Sequence, residues 1–282
     1  MSDLILSAAA ENHHLLLLPA DVTAEDFQAL IYSTFPNTLR QDEYTYAIDP
    51  TTSFSGPYQV PAQLRDELDA PSWAEIAWAA HTAYERGDRL PAALAGIDPL
   101  WDAHASAPLT GSEERAVQFL VAAARRLHGA VRSGGVVIPC DPHTNPALTL
   151  YSPVWLDPNT LGTIASNFLT NLGDSLTDAD RYHLAETTMS AYSVYGDSAQ
   201  GLITIEVDAE EYLPPAIAAF TWAANGAVTY QLRYHGTDSS AQVLTAVVGV
   251  IEALIVAIAD LAPGAICDDD GFLVELSQNA PH

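Results

Sequence analysis

The sequence predicts an α+β fold of two associated lobes, each with helices packed on a mixed or antiparallel sheet in a ferredoxin-like order. The chain has 282 residues, 49% of them hydrophobic, which is enough for two modest cores. Short apolar strands alternate with amphipathic helices along both halves, and each half ends in a long helix, a glycine and an apolar strand. We place the first lobe at residues 1–156, with a helical insertion at about 50–110, and the second lobe at 157–282.

The second lobe is predicted to form around residues 241–262, the most apolar run in the chain. A helix that is apolar on all sides is either a central core helix or a membrane span. Glu252 lies in the middle of the run, and the nearest cation is Arg233. Because a membrane span is favoured by flanking cations and opposed by a central carboxylate, the pattern predicts a buried core helix.

The other elements of the first lobe follow from capping residues and periodicity. Thr23 starts one helix, and two capping boxes, Ser72 with Glu75 and Thr110 with Glu113, start two more. The predicted elements are a strand at 14–18, a helix at 23–35, a strand at 44–48, helices at 72–87 and 110–134, and a hairpin of strands 136–138 and 148–155.

The second lobe is predicted to begin with a helix at 157–171. Residues 178–195 fit either a helix or a strand. The remaining predicted elements are a strand at 201–207, a helix at 214–224, a strand at 228–234, the core helix, and strands at 265–267 and 272–276.

We also predict that the two lobes are copies of one unit. Strand 15–21 then corresponds to 202–208, strand 44–46 to 228–230, and Cys140 to Cys267. The strands are offset by about 187 residues and the cysteines by about 127, so the first copy is expected to carry an insertion of about 60 residues.

The charge composition excludes several classes of function. The formal net charge is −26, and the sequence contains ten arginines and no lysine. A Walker A phosphate loop, a pyridoxal phosphate Schiff base and the kinase strand lysine are therefore ruled out. Scattered arginines do not form the basic stripe that binds nucleic acid. The acidic surface fits either the docking of a basic protein partner or solubility alone.

The amino terminus and the cysteines predict a cytoplasmic protein. The first residues contain an acid and no cation before a short apolar stretch, unlike a secretory signal. Two cysteines in a chain of this length do not make a disulfide framework and fit a reducing compartment.

Residues 171–178, with the sequence NLGDSLTD, resemble the first sequence block of the GDSL esterase and lipase family. The resemblance covers eight residues and implies that Ser175 is a nucleophile, with Asp180 and His183 as its Asp-x-x-His pair. The Gly-x-Asn-Asp block of that family is missing, and the segment before Ser175 has a helical period. On the residues alone, Gly173 is a helix C-cap and Ser175 begins the next segment, so we predict that Ser175 is not catalytic.

A metal site at Cys140, His143 and Asp268 is the second candidate, because these residue types bind transition metals. The alternative for residues 140–146 is a structural turn rich in Asp, Pro and Asn. Three consecutive acids at 268–270 do not have the alternate spacing of a calcium loop. We therefore predict no metal and no cofactor.

The sequence as a whole favours a soluble, non-enzymatic binding or regulatory module that docks a protein partner. The alternatives are a serine hydrolase that uses Ser175 and, third, a metal protein. We expect neither nucleic acid nor membrane binding, and the oligomeric state stays open. An enzyme is expected to bring polar groups together in a pocket, whereas a docking protein is expected to present an acidic or apolar patch.

Overall fold

The protein folds into two compact units, Met1–Pro142 and His143–His282. The computed structural model describes residues 5–6, 12–140, 146–184, 187–238 and 240–276, and only the backbone of 175–184 and 187–190. Each unit contains helices and one antiparallel sheet, which confirms the two-lobed α+β prediction. The boundary lies 14 residues before the predicted one, because the strand at Ala147–Ser152 pairs within the second sheet.

The described residues of the first unit form seven strands and four α-helices. They are β1 (His14–Leu18), α1 (Ala24–Thr34), β2 (Leu39–Arg40), β3 (Thr45–Asp49), β4 (Thr52–Gln59), α2 (Ala62–Glu67), β5 (Ile76–His81), α3 (Pro99–Ala103), α4 (Gly111–Arg126), β6 (Ala130–Ser133) and β7 (Val136–Pro139). The strand order in this sheet is β2-β3-β4-β5-β1-β6-β7.

Helices α1 and α4 pack on one face of this sheet through aromatic rings. The Phe27 ring of α1 lies 4.7 Å from that of Trp78 on β5, and Phe119 of α4 lies 5.1 Å from Phe54 on β4. Thr23 begins α1 with the predicted helix cap, which is a capping box with Asp26. Helix α2 packs in a separate core cluster in which its buried Leu64 joins Leu15, Leu17 and Ala77.

In the part of the second unit that the structure describes there are six strands and three α-helices. They are β8 (Ala147–Ser152), α5 (Pro158–Ala165), β9 (Thr170–Leu184), β10 (Thr187–Ser198), β11 (Gly201–Glu210), α6 (Pro215–Ala218), β12 (Ala227–His235), α7 (Ala241–Ala259) and β13 (Ala265–Asp268). The strand order in this sheet is β13-β8-β12-β11-β10-β9.

Helix α7 is the predicted core helix, and it packs with α5 on this second sheet. Its buried side chains share one core cluster with those of α5 and of the central strands. The α7 side chains that this packing buries are Leu244, Val247, Ile251, Leu254, Ile255 and Ile258. Helix α6 belongs to a smaller cluster, in which Ile217 contacts Cys267 of β13 and Tyr151 of β8. One side of α7 is therefore a core surface, as predicted.

The two units share one order of elements and one order of strands. In each, a first strand (β1 or β8) and a helix (α1 or α5) lead to four further strands, β2 to β5 or β9 to β12. A long helix (α4 or α7) follows, and then a strand (β6 or β13) that returns to pair with the first strand. A short helix, α2 or α6, also precedes the fourth of the four strands. The first strand lies between the returning strand and that fourth strand in both sheets.

Residue registers agree as well as strand orders. Leu16 lies opposite Trp78 and Val131 in the first sheet, and Leu150 lies opposite Tyr230 and Ile266 in the second. Each helix cap, Thr23 or Asp157, follows its central leucine by seven residues (23 − 16 and 157 − 150). Position 16 of the first unit thus matches position 150 of the second.

The correspondence predicted from the sequence is wrong. It matched β1 with β11 and β3 with β12, but β11 and β12 are neighbours in their sheet, whereas β4 and β5 separate β3 from β1. The partner of β1 is β8 instead. Because β4 and β5 belong to the shared plan, the parts of the first unit without a counterpart are residues 82–110 and the edge strand β7. Strand β6 matches β13, so the predicted match of Cys140, which follows β7, with Cys267 is also wrong.

Several predicted elements also differ from the structure. The helix predicted at 110–134 ends at Arg126 and is followed by β6, the helix at 214–224 is reduced to Pro215–Ala218 and a 3-10 turn, and the strand at 272–276 is only an isolated bridge at Leu273. Residues 76–81 form a strand instead of a helix, because β5 is central in its sheet and Ala77 to Ala80 are buried on both faces, so their apolar run has no strand-like alternation. Strand β7 pairs with β6 and not with β8, because Gly134 and Gly135 both have positive φ, as a two-residue hairpin turn requires. The helix at 157–171 ends at Ala165, and the chain enters β9 at Thr170.

Candidate functional site

The backbone does not bring the predicted serine hydrolase residues together. Ser175 pairs with Ser193 of β10 and His183 pairs with Thr188, five residues away along that strand. Five strand residues span about 17 Å, whereas a nucleophile and its base must lie within hydrogen-bond reach. Asp180 lies where the β9–β10 register shifts. Gly173 lies inside β9, so the predicted helix C-cap at this position is wrong.

The predicted metal ligands fall in different parts of the fold. Cys140 follows β7 in the first unit, Asp268 ends β13 in the second, and His143 lies outside the described residues. The Asp268 carboxylate accepts hydrogen bonds from the backbone of Asp270 and Phe272, which is the role of a turn residue. Among the residues that the structure describes, no group of three or more His, Cys, Asp or Glu is placed to hold a metal ion.

The other cysteine is not a reactive thiol. Cys267 on β13 is buried, and burial, followed by the neighbouring Asp268 charge, raises the pKa of its thiol to about 12. A thiolate is the form that binds metals and attacks substrates. Cys267 therefore acts as a core residue at neutral pH.

A buried polar network occupies the first unit, where β1, β6 and α4 meet the segment 82–110. His14 contacts Ser133 through Nδ1 at 2.8 Å and Glu113 through Nε2 at 2.9 Å. Arg86 donates to the same Glu113 oxygen at 2.7 Å, and its other terminal nitrogen lies 2.6 Å from Nδ1 of His104. The second Glu113 oxygen accepts the backbone N–H of Glu85. One carboxylate thus joins α4 to β1 and to the segment 82–110.

Hydrogen-bond chemistry fixes the tautomers of both histidines. Arg86 has only donors, so Nδ1 of His104 accepts and its Nε2 donates to Ser133 at 2.7 Å. The ionised Glu113 has only acceptors, so Nε2 of His14 donates to it and Nδ1 accepts the Ser133 hydroxyl proton. Every donor in the chain from His104 to Glu113 therefore meets an acceptor.

The order Ser133, His14, Glu113 is that of a nucleophile, a base and an orienting carboxylate. Ser133, however, is 1% exposed and Glu113 is 3% exposed, so a substrate has no access to the hydroxyl. The hydroxyl oxygen also accepts a hydrogen bond from His104, which occupies one of its two lone pairs. The network is therefore a structural anchor for residues 82–110 and not an active site.

The network makes stability depend on pH. Burial, followed by the charge of Arg86, lowers the pKa of His104 from 6.5 to about 4, and burial also lowers the pKa of His14. Between these values the unfolded chain binds a proton that the folded chain does not, so stability is lost as the pH falls from 6.5 to about 4. Urea unfolding at about pH 7, 5.5 and 4.5 is expected to show this loss, and His104→Gln is expected to reduce it, with the contribution of His14 remaining.

Hydrogen-bonded carboxylates do not explain a loss of stability in that range. Hydrogen bonds from Thr23 lower the pKa of Asp26, and hydrogen bonds from Thr160 and Asn159 lower that of Asp157, each from 3.8. Their contribution is lost only as the pH falls below that value. A wild-type stability that stays flat from about pH 7 to 4.5 would contradict the neutral, buried state of these histidines.

A shallow groove of ≈ 390 Å³ opens beside the ends of β3 and β5 in the first unit, and His13, Asp49, Thr52 and His81 are among the residues that line it. The rings of His13 and His81 lie 4.6 Å apart, and burial lowers the pKa of His81. The carboxylate of Asp49 already pairs with Arg115 and accepts from Thr51. The groove is large enough for a small polar molecule, but its one carboxylate is occupied.

The outward side of α7 differs from that of its counterpart α4. We define the α7 outer face as Gln242, Thr245, Ala246, Gly249, Ala253 and Val256, all of them exposed or partly exposed and none of them charged. The exposed and partly exposed positions of α4 include Glu114, Arg115, Arg125 and Arg126. Charged residues are what solvent-facing helix positions ordinarily carry. Among all exposed and partly exposed positions of α7, Glu252 alone is charged, against four in α4, so the solvent-facing side of α7 carries less charge than that of α4.

Helix α7 also satisfies the length and composition of a membrane span, and among the described helices it alone does so. One third (33%) of its most apolar window is buried in the unit. The six buried side chains pack on the second sheet, so this side of α7 belongs to the core of the unit. The flanking acids Asp238 and Asp260 lie where a membrane span favours cations.

Comparisons with known proteins do not assign the chain to a family. No family model, no curated protein and no solved structure matches it.

Sequence analysis missed both the network and the outer face. Thr110 and Glu113 have capping-box spacing, but the Thr110 side chain makes no cap hydrogen bond and Glu113 turns inward to His14 and Arg86. The charged face of α4 and the uncharged face of α7 were visible in the sequence. The difference in charge between these two faces becomes informative only when α4 and α7 are known to occupy equivalent positions in the two units.

Proposed function

We propose that the protein is a non-enzymatic docking module and that the α7 outer face is the surface that binds a protein partner. The observation that carries the proposal is the scarcity of charge on the solvent-facing side of α7, where Glu252 is the one charged residue among the exposed and partly exposed positions, against four such residues in the equivalent helix α4. Interface cores are depleted of charged residues relative to the rest of a protein surface. A cytoplasmic location belongs to the same proposal.

The candidate enzymatic features argue for the same function. Ser175 and His183 pair with residues five positions apart on β10, and the hydroxyl of Ser133 is buried and hydrogen-bonded to His14 and His104. Polar groups of the described residues converge in this closed network and along the open groove beside β3 and β5, where the one carboxylate, Asp49, already pairs with Arg115. That pattern matches the expectation for a docking protein better than that for an enzyme.

The test separates docking from folding. A Cβ added at Gly249 meets no atom within 4 Å, so Gly249→Gln fits the fold and is expected to leave stability unchanged or raise it by up to ~1 kcal/mol through helix propensity. Ile255, on the buried side of the same helix, is 0% exposed, so Ile255→Gln is expected to cost about 3 kcal/mol or more. Urea unfolding measures both.

Gly249→Gln is expected to abolish partner binding without loss of stability, whereas Gln118→Ala on the exposed side of α4 is expected to change neither property. A stability loss at Gly249→Gln as large as that at Ile255→Gln would show that the face is core, and the proposal would fail.

We also infer that the two units arose by duplication, and that each is the ferredoxin-like β-α-β-β-α-β pattern widened by one hairpin. The shared strand order and the matched registers around Leu16 and Leu150 support this inference. Each unit has four strands between its two main helices, where the ferredoxin-like pattern has two. After duplication, the first unit acquired the segment 82–110 and the second an uncharged outer helix face.

A further inference from the structure

We propose that the partner segment received by the α7 outer face is a cationic amphipathic helix of another polypeptide. The inference rests on the docking function proposed above and names the chemistry of the partner. It follows from the shape of the face, from the charges that flank it and from the charge of the second unit as a whole.

The shape of the face suits a helix. Helix α7 has 19 residues and is therefore about 28 Å long, which matches about five turns of a partner helix. Side chains in the middle of the face are small, with Gly249 open to solvent and Ala246 and Ala253 beside it. Small side chains allow a second helix to approach closely, and helix-in-groove recognition uses an apolar stripe of the incoming helix. In this complex, the apolar side of the amphipathic partner helix would contact the α7 outer face.

The flanks of the face supply the charge. Asp238 precedes α7, Glu252 lies partly exposed at the side of the face and Asp260 follows the helix. Hydrogen bonds from Ser240 lower the pKa of Asp238, which therefore stays ionised at neutral pH. An uncharged stripe between carboxylates complements a helix with apolar residues on one side and cations at its edges.

The whole second unit carries charge of the same sign. Residues 143–282 contain 17 acids and two cations, Arg181 and Arg233, so their formal charge is 2 − 17 = −15. Residues 1–142 contain 19 acids and 8 arginines, or −11, and the two halves sum to −26. The resulting field attracts a cationic segment over a Debye length of about 8 Å at physiological salt.

Charge also disfavours two other occupants of the α7 outer face, a second copy of the chain and a membrane surface. A second copy of the chain would bring two units of −15 together, and the like charges repel. A membrane surface is anionic, and helices that lie on it carry Lys or Arg on their polar face, whereas α7 has none. A cationic polypeptide satisfies both the apolar and the electrostatic requirement.

The experiment measures fluorescence anisotropy of three labelled peptides with the full chain. The first contains about 18 residues of leucine and lysine at helical spacing, the second has the same composition in scrambled order, and the third has glutamate in place of lysine. Each is titrated with wild type, Gly249→Gln and Gln118→Ala. Sedimentation velocity of the chain alone and flotation with zwitterionic and anionic vesicles complete the set.

The inference predicts that the leucine–lysine peptide binds wild type and that the Kd is at least about tenfold higher for Gly249→Gln. The Kd for wild type is also expected to rise at least about tenfold when the salt concentration is raised from about 50 to 500 mM. Gln118→Ala is expected to bind as wild type does, and the scrambled peptide to bind at least about tenfold more weakly.

Two results would overturn the inference and leave the docking function standing. In the first, the glutamate peptide binds wild type as tightly as the leucine–lysine peptide does, and Gly249→Gln abolishes its binding. In the second, the chain self-associates and Gly249→Gln prevents this. The docking function itself would be overturned if the peptides bound wild type and Gly249→Gln equally well. It would also be overturned if the chain bound vesicles and none of the peptides.

Discussion

Replacing Glu113 by leucine is expected to destabilise the first unit by about 3–5 kcal/mol, because it removes one partner of a buried ion pair. The carboxylate accepts from Arg86 at 2.7 Å and from His14 at 2.9 Å, and it is 3% exposed. Leucine leaves a cation, an imidazole N–H and the backbone N–H of Glu85 without their acceptor. Urea unfolding, with hydrogen exchange of β1 and β6 amides as the probe of this unit, measures the loss.

The matched control is the next residue of the same helix. Glu114 is partly exposed and makes one hydrogen bond, from Gln118 at 3.2 Å, so Glu114→Leu is expected to change stability by no more than about 0.5 kcal/mol. Equal effects of the two substitutions would mean that the network does not hold the unit together.

Substitution of alanine at Gly129 or at Gly264 is expected to cost several kcal/mol, because each glycine lies against the backbone of the first strand of its unit. A Cβ at Gly129 would overlap the carbonyl oxygen of Leu17, and a Cβ at Gly264 would overlap that of Tyr151. Each glycine lies two residues before the strand residue that faces the central leucine, Val131 or Ile266. Because backbone atoms cannot move aside without breaking the strand pair, β6 or β13 must shift.

Unit-specific hydrogen exchange checks this prediction, with loss of protection in β1 and β6 for Gly129→Ala and in β8 and β13 for Gly264→Ala. Gly162→Ala in α5 is the control, since nothing lies within 4 Å of the added Cβ and the substitution is expected to stabilise by ~1 kcal/mol. If alanine at either strand glycine were as well tolerated as at Gly162, the equivalence of the two positions would lose its physical basis.

Much of the fold could be predicted from local sequence signals. Thr23 and its capping box marked α1, the apolar run marked α7 and the residues after Gly264 marked β13. These elements are defined by caps and by periodicity, which are properties of neighbouring residues.

The predictions that were wrong concern features that depend on contacts between residues far apart in the sequence. Strand β5 shows no alternation because both faces of its sheet are covered: Trp78 packs on Phe27 of α1, and Ala77 joins the cluster of Leu64 on α2. Neither covering helix can be inferred from residues 72–87. The predicted duplication likewise matched the wrong strands, since only the registers show that Leu16 and Leu150 hold the same place.

The candidate site was predictable only in part. Composition indicated an acidic docking protein, and that expectation motivates the present proposal. The network of Glu113 required residues from β1, β6, α4 and the segment 82–110 to meet, which no local pattern predicts. The α7 outer face required knowledge of which side of an apolar helix the sheet covers.

Photo-crosslinking in the native cell tests the central claim most directly. A benzophenone side chain introduced at Ala246, exposed on the α7 outer face, is compared with one at Gln118, exposed on α4. Crosslinked products are identified by mass spectrometry, and the purified product is then titrated with wild type and Gly249→Gln. We predict a crosslink from position 246, and none from 118, to a polypeptide with a cationic helical segment that binds wild type and not Gly249→Gln. Crosslinks from position 246 to lipid alone, or no crosslink from it at all, would contradict the account.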